Sequence, residues 1–396
     1  MIYSSTFQTV LAQDLLLSRS SKKGCMILRL IRAAQPIAAV EIAKRLGIEN
    51  SIVTDHVKPF IKRGILIEKT LENTGKRGRR VLSLVDENDY FIGVNLGVRG
   101  SQVGLATLNG DIRNEDDFET PADAKTALRM VRERIEKLFD SNPGRQLRMI
   151  GVSVPGMTDA DRRNLLYAAN LNWRDVGIAD ALQINDSVKV VVENEANAAA
   201  MYEARLNMRG SDEDSVRDFV LVRSGTGIGV GLVIGSEVYR GSGIAGEFGH
   251  MTIVAGGKPC VCGNRGCWEK YASAASAASL YLGDRPPARG ESVPRFVEIV
   301  SKAENGDNRS RRTLEKIGDY LGIGIANVIM GVGIPHVIIS GRLVHGWKFI
   351  KKPLHEAIER SIVSKVGRWS VEAGEPVGSA MGGALEVAVE EYLSTI

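Results

Sequence analysis

One histidine and three cysteines fall within 18 consecutive residues, and this cluster restricts the fold of the surrounding chain more than any other feature. His250 is followed by Cys260, Cys262 and Cys267. Imidazole and thiolate groups are the usual ligands of tetrahedral zinc, and four protein ligands leave no coordination position for water. The spacing therefore predicts a structural Zn²⁺ ion that fixes a loop, and not a metal ion that activates a nucleophile.

Two other interpretations of this cluster remain open. In the first, the thiols are neighbours by chance; in the second, two of them form a disulfide and leave one unpaired. An isolated histidine is more often a hydrogen-bonded core residue than a ligand, but the fixed distance of His250 from three cysteines favours the metal. Clustered thiols, with Cys25 standing apart, indicate a reducing compartment.

The N-terminal end gives a second expectation about location. Leu15, Leu16 and Leu17 form a short apolar run, but Asp14 precedes it and no small-residue cleavage site follows. A signal peptide or a membrane span needs a longer uninterrupted run. We therefore expect a cytoplasmic protein that does not contact a membrane.

Basic residues are concentrated near the N-terminus of the 396-residue chain. The first 85 residues contain 15 Lys and Arg against 6 Asp and Glu, a local charge of +9. The other 311 residues contain 36 against 41, a charge of −5. Because 396 residues exceed the size of a single hydrophobic core, this asymmetry predicts a nucleic-acid-binding unit joined to a separate body.

The basic region has the pattern of three helices. Residues 24–34 form an apolar stripe that ends before Pro36, and the stripe of the next helix ends at Gly47, a residue suited to a helix C-cap. A third helix begins near Glu49 and is expected to be shortened or kinked by Pro59. We interpret it as a DNA-recognition helix, whose outward-facing residues are Asn50, Ser51, Thr54, Asp55 and Lys58.

Two strands follow, starting near Gly64 and covering 81–85, with a basic loop between them. Taken alone, such a loop is equally well explained as a solvated charge run. Together with three preceding helices it predicts a winged helix-turn-helix over residues 1–88, with double-stranded operator DNA as partner. The wing cations expected to reach DNA are Lys76, Arg77, Arg79 and Arg80.

Beyond a polar hinge at 86–89, strand-like and helical segments alternate, which indicates an α/β fold with mixed sheets. The predicted strands cover 103–108, 149–154, 189–193, 219–223, 229–234 and 336–340. The predicted helices lie near 123–140, 195–206, 268–280, 293–304 and 311–330.

A longer motif surrounds the metal cluster. Glu247-x-Gly249-His250, followed by Cys260-x-Cys262-Gly263-x-x-Gly266-Cys267-x-Glu269, resembles the signature of the ROK family of repressors, open reading frames and kinases. The N-terminal winged helix is similar to that of its repressor branch, so the resemblance covers nearly the whole chain. It implies a two-lobed, actin-like and ribonuclease-H-like sugar-kinase fold over 89–396. The smaller lobe would be 89–195 plus the C-terminal helix, and the larger lobe 196–379.

The resemblance also implies a sugar site. In ROK kinases an Asn-Asp pair binds the sugar and its Asp accepts a hydroxyl proton; the matching residues are Asn194 and Glu195. The longer carboxylate at 195 still suits hydrogen bonding but is poorly placed for phosphoryl transfer. Glu247, His250 and Glu269 match the remaining sugar contacts. Taken singly, each acid would be expected on the surface, but amides and carboxylates that converge on one pocket suit a polyhydroxylated ligand.

The phosphate motif departs from the kinases. Their Asp-x-Gly-Gly-Thr is replaced by Asn95-Leu96-Gly97-Val98-Arg99, so a Mg²⁺-binding carboxylate is lost. A second glycine loop at 225–229 and a Ser340-Gly341 turn are intact, but glycine connections are also needed simply to build the sheet. We therefore expect a degenerate kinase without enzymatic activity.

These observations predict a sugar-responsive transcriptional repressor that a sugar or sugar-phosphate effector releases from DNA, acting as a homodimer or homotetramer. A bifunctional repressor that retains kinase activity is a second hypothesis, and it requires ATP binding despite Asn95 and Val98. A third is a repressor controlled by a protein that docks near the zinc, for which free sugars would leave DNA affinity unchanged. Xylose, glucose and N-acetylglucosamine types of effector all remain open.

Overall fold

A computed structural model describes residues 22–71, 78–85, 88–210, 217–243, 245–289, 291–374 and 379–396. Its N-terminal part has the predicted order of three helices followed by an antiparallel pair of strands. The elements are α1 (22–34), α2 (Ala39–Leu46), α3 (Asn50–Lys62), β1 (Leu66–Leu71) and β2 (Arg79–Leu84). The predicted wing residues Lys76 and Arg77 lie outside the described residues.

Helix α2 ends as the sequence predicts. Gly47 has φ of 64°, and the following residue, Ile48, donates its N–H to the carbonyl of Ala43 at 3.0 Å. The expectation that Pro59 shortens the third helix is wrong, because α3 continues through it to Lys62. Pro59 is exposed, and the next residue, Phe60, is buried and keeps the last turn of α3 against the core.

A mixed sheet of five described strands follows, with the order β10-β6-β3-β4-β5. Helices α4 and α5 pack on one face, and the C-terminal helix α13 covers the other. The elements are β3 (Asp89–Leu96), β4 (Gly100–Ala106), β5 (Ile112–Glu119), α4 (Ala124–Asp140), β6 (Gln146–Val154), α5 (Ile178–Leu182), β10 (Lys189–Asn194) and α13 (Ser379–Thr395). A small antiparallel sheet inserted before α5 contains β7 (Met157–Thr158), β8 (Leu165–Ala168) and β9 (Trp173–Val176).

A second sheet of five described strands has the order β13-β12-β11-β14-β15. Its strands are β11 (Phe219–Ser224), β12 (Ile228–Ile234), β13 (Glu237–Tyr239), β14 (His336–Gly341) and β15 (Ser370–Ala373). Helix α6 packs against β11 and β12, and a layer of helices shares its core with the sheet. The helices are α6 (Glu195–Asn207), α7 (Glu269–Ala272), α8 (Ser276–Leu282), α9 (Phe296–Glu304), α10 (Asn308–Val332), α11 (Trp347–Glu359) and α12 (Val363–Val366).

The single helix predicted near 268–280 is instead two short helices, α7 and α8. The chain leaves helical geometry at Ser273, where ψ is 159°. The amide of Ala274 then donates to Ser224 Oγ at 3.0 Å, and that of Ala275 donates to the carbonyl of Gly225 at 3.2 Å. Hydrogen bonds to the end of β11 therefore replace those of a continuous helix.

Helix α13 packs against the first sheet, against α6 and against the winged helix. A Cβ added to Gly383 would come within 2.8 Å of the backbone of Ala198, so α13 and α6 cross at very short distance. On the same helix Val389 and Leu393 belong to a hydrophobic cluster with Ile27 and Ile31 of α1. The winged helix is thus packed on the body through a shared core. Among the described residues, we find no helix with the length and apolar character that spanning a membrane requires.

Candidate functional site

The structure brings the four predicted metal ligands together. The ligand atoms of His250, Cys260, Cys262 and Cys267 all lie within 4.8 Å of one another. The sulfurs of Cys262 and Cys267 are 3.7 Å apart, close to the edge of about 3.8 Å in a tetrahedron with Zn–S bonds of about 2.3 Å. A disulfide would need about 2.05 Å, and all four cysteines of the chain are free. The donor set and its spacing therefore fit a tetrahedral metal ion.

A glycine allows the loop that carries the three cysteines to fold into a compact turn. Gly266 has φ of 81°, and a Cβ added there would lie 1.8 Å from the carbonyl oxygen of Val254. Isolated β-bridges join Thr252 to Cys267 and Pro259 to Arg265. These short-range contacts place the three cysteines beside the 3₁₀ turn Glu247–His250.

Burial is the largest influence on two of the thiols and raises the pKa of both Cys260 and Cys267. The Sγ of Cys260 also donates a hydrogen bond to Glu269 Oε1 at 3.2 Å. A metal ion binds thiolates, so metal binding at this cluster must release protons.

All five residues predicted to contact a sugar line one cavity of about 220 Å³, which we call the sugar cavity. It opens where β10 ends, beside the 3₁₀ turn and the start of α7. The five residues are Asn194, Glu195, Glu247, His250 and Glu269.

Asn194 has a structural role at this cavity. Its Oδ1 accepts a hydrogen bond from the amide of Ala196 at 2.8 Å and caps the N-terminus of α6, and its Nδ2 donates to the carbonyl of Gly156 at 2.8 Å. Glu195 lies in the first turn of α6 and is partly exposed, with its carboxylate 3.8 Å from Arg223 Nε. Burial raises the pKa of Glu247; His250 lowers it and Glu269 raises it further.

Sequence reasoning missed two residues near this site. Asn170, in the turn after β8, lines the sugar cavity and offers an amide, but no fixed spacing marked it. Glu193 is 1% exposed and precedes Asn194, whose amide donates to its Oε1 at 3.0 Å. Its other oxygen lies 2.7 Å from Arg240 Nε and 3.2 Å from Arg162 Nε. Only the alternation of β10 could have indicated that this acid points inward.

Asn95 and the glycine loop at 225–229, compared above with kinase phosphate motifs, each make contacts within the fold. Asn95 is 8% exposed, and its Nδ2 donates to Gln102 Oε1 at 3.1 Å. The glycine loop at 225–229 connects β11 to β12, and a Cβ added to Gly229 would lie 2.8 Å from the Cβ of Ala196. This loop is therefore required for packing against α6, whether or not it binds a ligand.

The predicted recognition residues share the outer side of α3. Asn50, Ser51, Asp55 and Lys58 are exposed, while Thr54 is half-buried and its hydroxyl donates to the carbonyl of Asn50. On the opposite side Val53, Val57 and Phe60 are buried.

The two described wing cations form ion pairs within the winged helix. Arg79 Nη2 lies 2.6 Å from Glu41 Oε2, and Arg80 Nη1 lies 3.5 Å from Glu68 Oε2. The Arg79 side chain is half exposed and that of Arg80 is largely exposed, so both are accessible to a phosphate backbone.

A buried ionic cluster, absent from the sequence predictions, joins the winged helix to the body. Arg32 of α1 donates from both Nη atoms to the Glu386 carboxylate of α13, at 2.6 and 2.9 Å, and Arg205 Nε of α6 lies 2.7 Å from the same carboxylate. We call these three residues the junction triad. Burial alone would raise the pKa of Glu386, but the two guanidinium groups outweigh it and hold that pKa below its usual value. The sequence separation of Arg32 and Glu386, 354 positions, explains why no local pattern revealed the pair.

Comparisons with known proteins agree with this arrangement. A family model described as ROK matches residues 91–390. The xylose repressor of Bacillus subtilis (strain 168) is 29% identical over 386 residues, which cover 94% of this chain and 96% of that protein. A solved ROK family transcriptional regulator, described as a homolog of the E. coli MLC protein, has a TM-score of 0.76 and 21% identity, covering 95% of this chain and 97% of its own.

A solved ROK family glucokinase from Streptomyces griseus, in complex with glucose and AMPPNP, has a TM-score of 0.62 and 26% identity. It covers 76% of this chain and 99% of its own. The similarity to the regulator extends over nearly the whole chain, so the predicted fold class is confirmed: a winged helix-turn-helix precedes a two-lobed sugar-kinase fold.

Proposed function

The chain belongs to the ROK family, and we propose that it is a sugar-responsive transcriptional repressor that acts in the cytoplasm on operator DNA. The main observation behind this proposal is that one chain contains both a winged helix and a cavity suited to a sugar. A winged helix is packed through a shared core on a body whose sugar cavity collects Asn194, Glu195, Glu247, His250 and Glu269. Similarity over 94% of the chain to a xylose repressor supports the same function.

In the sugar cavity, carboxylates would accept hydrogen bonds from sugar hydroxyls, while amides such as that of Asn170 would donate to them. Glu247, Glu269 and Glu195 supply the acceptors. Such a mixed lining suits a polyhydroxylated ligand better than an apolar one. Because Asn194 already caps α6, a ligand that contacts its side chain would also contact the start of this helix.

We propose that the cluster of His250, Cys260, Cys262 and Cys267 holds a structural Zn²⁺ ion. Its four ligands complete a tetrahedron, so the ion would fix the loop and supply no reactive water. His250 Nδ1 lies 3.6 Å from Cys260 Sγ and faces the cluster, which leaves Nε2 for a ligand in the sugar cavity. The metal would thereby orient one of the sugar-binding side chains.

For DNA, we propose that α3 enters the major groove with Asn50, Ser51, Thr54, Asp55 and Lys58 on its outer side. The wing, with Lys76, Arg77, Arg79 and Arg80, would contact the phosphate backbone or the minor groove. A symmetric dimer would place two such units on a palindromic operator, and a tetramer would pair two dimers.

We further propose that α6 couples the two sites. Its N-cap, Asn194, lies beside the sugar cavity, and its last turn carries Arg205 of the junction triad, about 17 Å away at 1.5 Å per residue. A sugar that shifts the start of α6 would move Arg205 against Glu386, and Glu386 holds Arg32 of the winged helix. The effector acts because it has different affinities for the two arrangements.

Asn95 is consistent with a non-enzymatic role. Its side-chain amide donates a hydrogen bond to Gln102, and the residue has no carboxylate that could bind Mg²⁺. Similarity to a glucokinase, together with the intact glycine loop at 225–229, makes residual sugar phosphorylation the second candidate. The two functions differ in one measurement: a kinase would consume ATP when a bound sugar is present, and a repressor would not.

The first test is a thermal-shift screen of the full chain against free sugars, their phosphates and ATP with Mg²⁺, since ligands of the folded state raise the unfolding temperature. A sugar that shifts the transition should weaken operator binding at fixed salt. Glu247→Gln should abolish both effects, whereas Glu133→Gln, on the exposed side of α4, should leave them unchanged. A stabilising sugar that leaves operator affinity unchanged would contradict the proposal, and no response to any sugar would favour control by a protein partner.

A further inference from the structure

A second cavity, of about 200 Å³, lies where the winged helix meets the body, and we call it the junction cavity. Helix α1 contributes Arg29 and Arg32 to its wall, and α6 contributes Arg205. The wall also includes Arg162, from the loop between β7 and β8, and Arg240, directly after β13. Among the described residues, none lines both this cavity and the sugar cavity. The junction cavity is therefore a separate space at a domain boundary, where small ligands often bind.

Cations outnumber carboxylates along one part of this wall. The Nε atoms of Arg162 and Arg240 lie 3.2 and 2.7 Å from the same oxygen of the buried Glu193. Arg162 Nη1 also donates to Glu391 at 2.8 Å, but the other oxygen of Glu391 accepts a hydrogen bond from Lys189 at 2.6 Å. Three cations thus share two carboxylates, and this group carries one excess positive charge.

The hydrogen-bonding capacity of the two arginines is not used up by these contacts. Arg162 Nη2 is buried and has no hydrogen-bond partner among the described residues. Arg240 Nη2 has as its partner the sulfur of Met201, a weak acceptor, at 3.9 Å. Burial is the largest influence on the pKa of Arg162 and lowers it; Glu193 raises this pKa and Arg240 lowers it. A ligand oxygen in the cavity would supply the missing acceptor.

The backbone of Arg162 holds its side chain at this wall. Its φ is 56°, in the left-handed region, and its carbonyl accepts a hydrogen bond from the amide of Val192 at 2.8 Å. Among the described residues with positive φ, it is the only one that is not glycine, asparagine, aspartate or serine. Strained backbone of this kind persists only where the surrounding structure determines it, and it is frequent at ligand sites.

We propose that the junction cavity is a second effector site, which binds the carboxylate group of a small organic acid through Arg162 and Arg240. Guanidinium N–H groups match the two oxygens of a carboxylate and need no metal ion for this contact. One carboxylate also balances the one excess positive charge. The ligand would contact α1, α6 and α13 together, so its binding would favour one position of the winged helix on the body.

Such a carboxylate belongs either to a dicarboxylate or to an amino acid, and Glu390 distinguishes the two. Near α1 the charge balance is reversed, because Arg29 is paired with both Glu237, at 3.0 Å, and Glu390, at 2.5 Å. This part of the wall suits an ammonium group. Glu390→Gln should therefore weaken the binding of an amino acid and should not weaken that of a dicarboxylate.

The test is calorimetric titration of the full chain with succinate and with L-glutamate, at constant ionic strength and without added metal or chelator. Succinamide, which has the carbon chain of succinate without its charges, is the matched ligand. Arg162→Gln and Arg240→Gln are titrated separately, because in each variant Glu193 keeps the other arginine as its partner. The control is Arg129→Gln, an exposed arginine on α4, and thermal unfolding shows whether each variant folds.

We expect succinate or L-glutamate to bind, succinamide not to bind, and each cavity variant to weaken binding about tenfold or more, as loss of charge-assisted hydrogen bonds implies. The control should bind as the unsubstituted protein does. No binding of either acid, equal binding of succinamide, or binding that both cavity variants leave unchanged would each overturn the inference.

The effector role is measured as operator affinity with and without the bound acid, and this part rests on the proposed function. We expect a change of about fivefold or more, which should persist in Glu247→Gln because that residue lines the other cavity. Binding of the acid without a change in operator affinity would overturn the effector role. A sugar response of the unsubstituted protein would then still support the sugar-responsive repressor, so the two proposals can fail independently.

Discussion

The two ends of α6 are both polar, but they are built in opposite ways. At its N-terminus, Asn194 and Glu195 face a cavity; Asn194 is bonded to backbone amides and a backbone carbonyl, and Glu195 lies 3.8 Å from Arg223. In its last turn, Arg205 belongs to a triad in which the side chains of Arg32 and Glu386 are 1% and 2% exposed. One end is open to a ligand, and the other is closed against water.

This difference indicates a division of roles. Groups that face a cavity can exchange water for sugar hydroxyls at little cost, so the N-terminal end can respond to an effector. Removing the partner of a buried charge costs several kcal/mol of folding free energy, so the junction triad has few alternative arrangements. Under the proposed coupling, a movement that starts at the cavity would therefore be transmitted to the winged helix and not absorbed at the junction.

The largest expected effect comes from breaking the closed end. Glu386→Ala leaves two buried guanidinium groups without their carboxylate and should lower the free energy of unfolding by about 3–5 kcal/mol. Urea unfolding at neutral pH measures the loss. The matched control is Glu136→Ala, which removes an exposed pair with Arg132 and should cost less than about 1 kcal/mol. Equal losses in the two variants would show that the triad is not a buried ionic cluster.

Metal removal should have the next largest effect, and it acts near the open end. Chelation, or Cys267→Ser, should lower the free energy of unfolding by about 2.7 kcal/mol when free metal stands at about a hundred times its Kd. Sugar binding should weaken with it, because His250 would lose its orientation. Elemental analysis of the purified chain and thermal unfolding with and without chelator provide the measurement. Cys25→Ser, outside the cluster, should retain the metal.

The closed end also predicts a pH dependence. The pKa of Glu386 is lower in the folded chain than its usual value near 4.5, so the folded state favours the ionised carboxylate. Its stabilisation is fully present above that usual pKa and is lost as pH falls through the lower, folded pKa. Acid titration of Glu386→Gln should therefore show a smaller loss of stability over this range. Parallel titration curves for the variant and the unsubstituted protein would contradict the assigned direction.

The two ends of α6 also differ in how far the sequence could predict them. The candidate metal ligands Cys260 and Cys267 lie seven positions apart, so local spacing was enough to predict that they come together. The resemblance to ROK kinases indicated Asn194, which directly follows the strand predicted at 189–193 and is the last residue of β10. The junction triad combines residues 32, 205 and 386, which only the packed helices bring together. The prediction of a single helix near 268–280 was wrong for a related reason. The groups that interrupt this helix are on Ser224 and Gly225, which are distant in sequence.

A smaller effect is expected from the cap at the open end. Asn194→Ala removes the hydrogen bonds to the amides of Ala196 and Asn197 and should cost about 1 kcal/mol of stability. Sugar binding should be lost at the same time. Asn194→Asp keeps the cap and isolates the contribution of the side-chain amide, which donates to Gly156. If alanine at this position left both stability and sugar binding unchanged, the cap would have no role at the site.

The smallest effect on stability is expected at the wing. Replacing Arg77, Arg79 and Arg80 by alanine should change stability little, since the pairs of Arg79 and Arg80 are largely exposed. Operator binding should weaken, and the slope of log affinity against log salt should become shallower by about 0.9 for each DNA phosphate that the variant no longer neutralises. An unchanged slope would show that these cations do not bind the DNA backbone.

Coupling through α6 is tested most directly by Arg205→Met. This variant detaches α6 from Glu386 but leaves the bidentate pair of Glu386 with Arg32 in place. Operator affinity is measured with and without the sugar identified by thermal shift, and sugar affinity is measured in parallel. We predict that both separate affinities stay within about twofold, while the sugar-induced loss of operator affinity shrinks about fivefold or more, the size of a typical coupling free energy. An undiminished response to sugar in Arg205→Met would contradict the account.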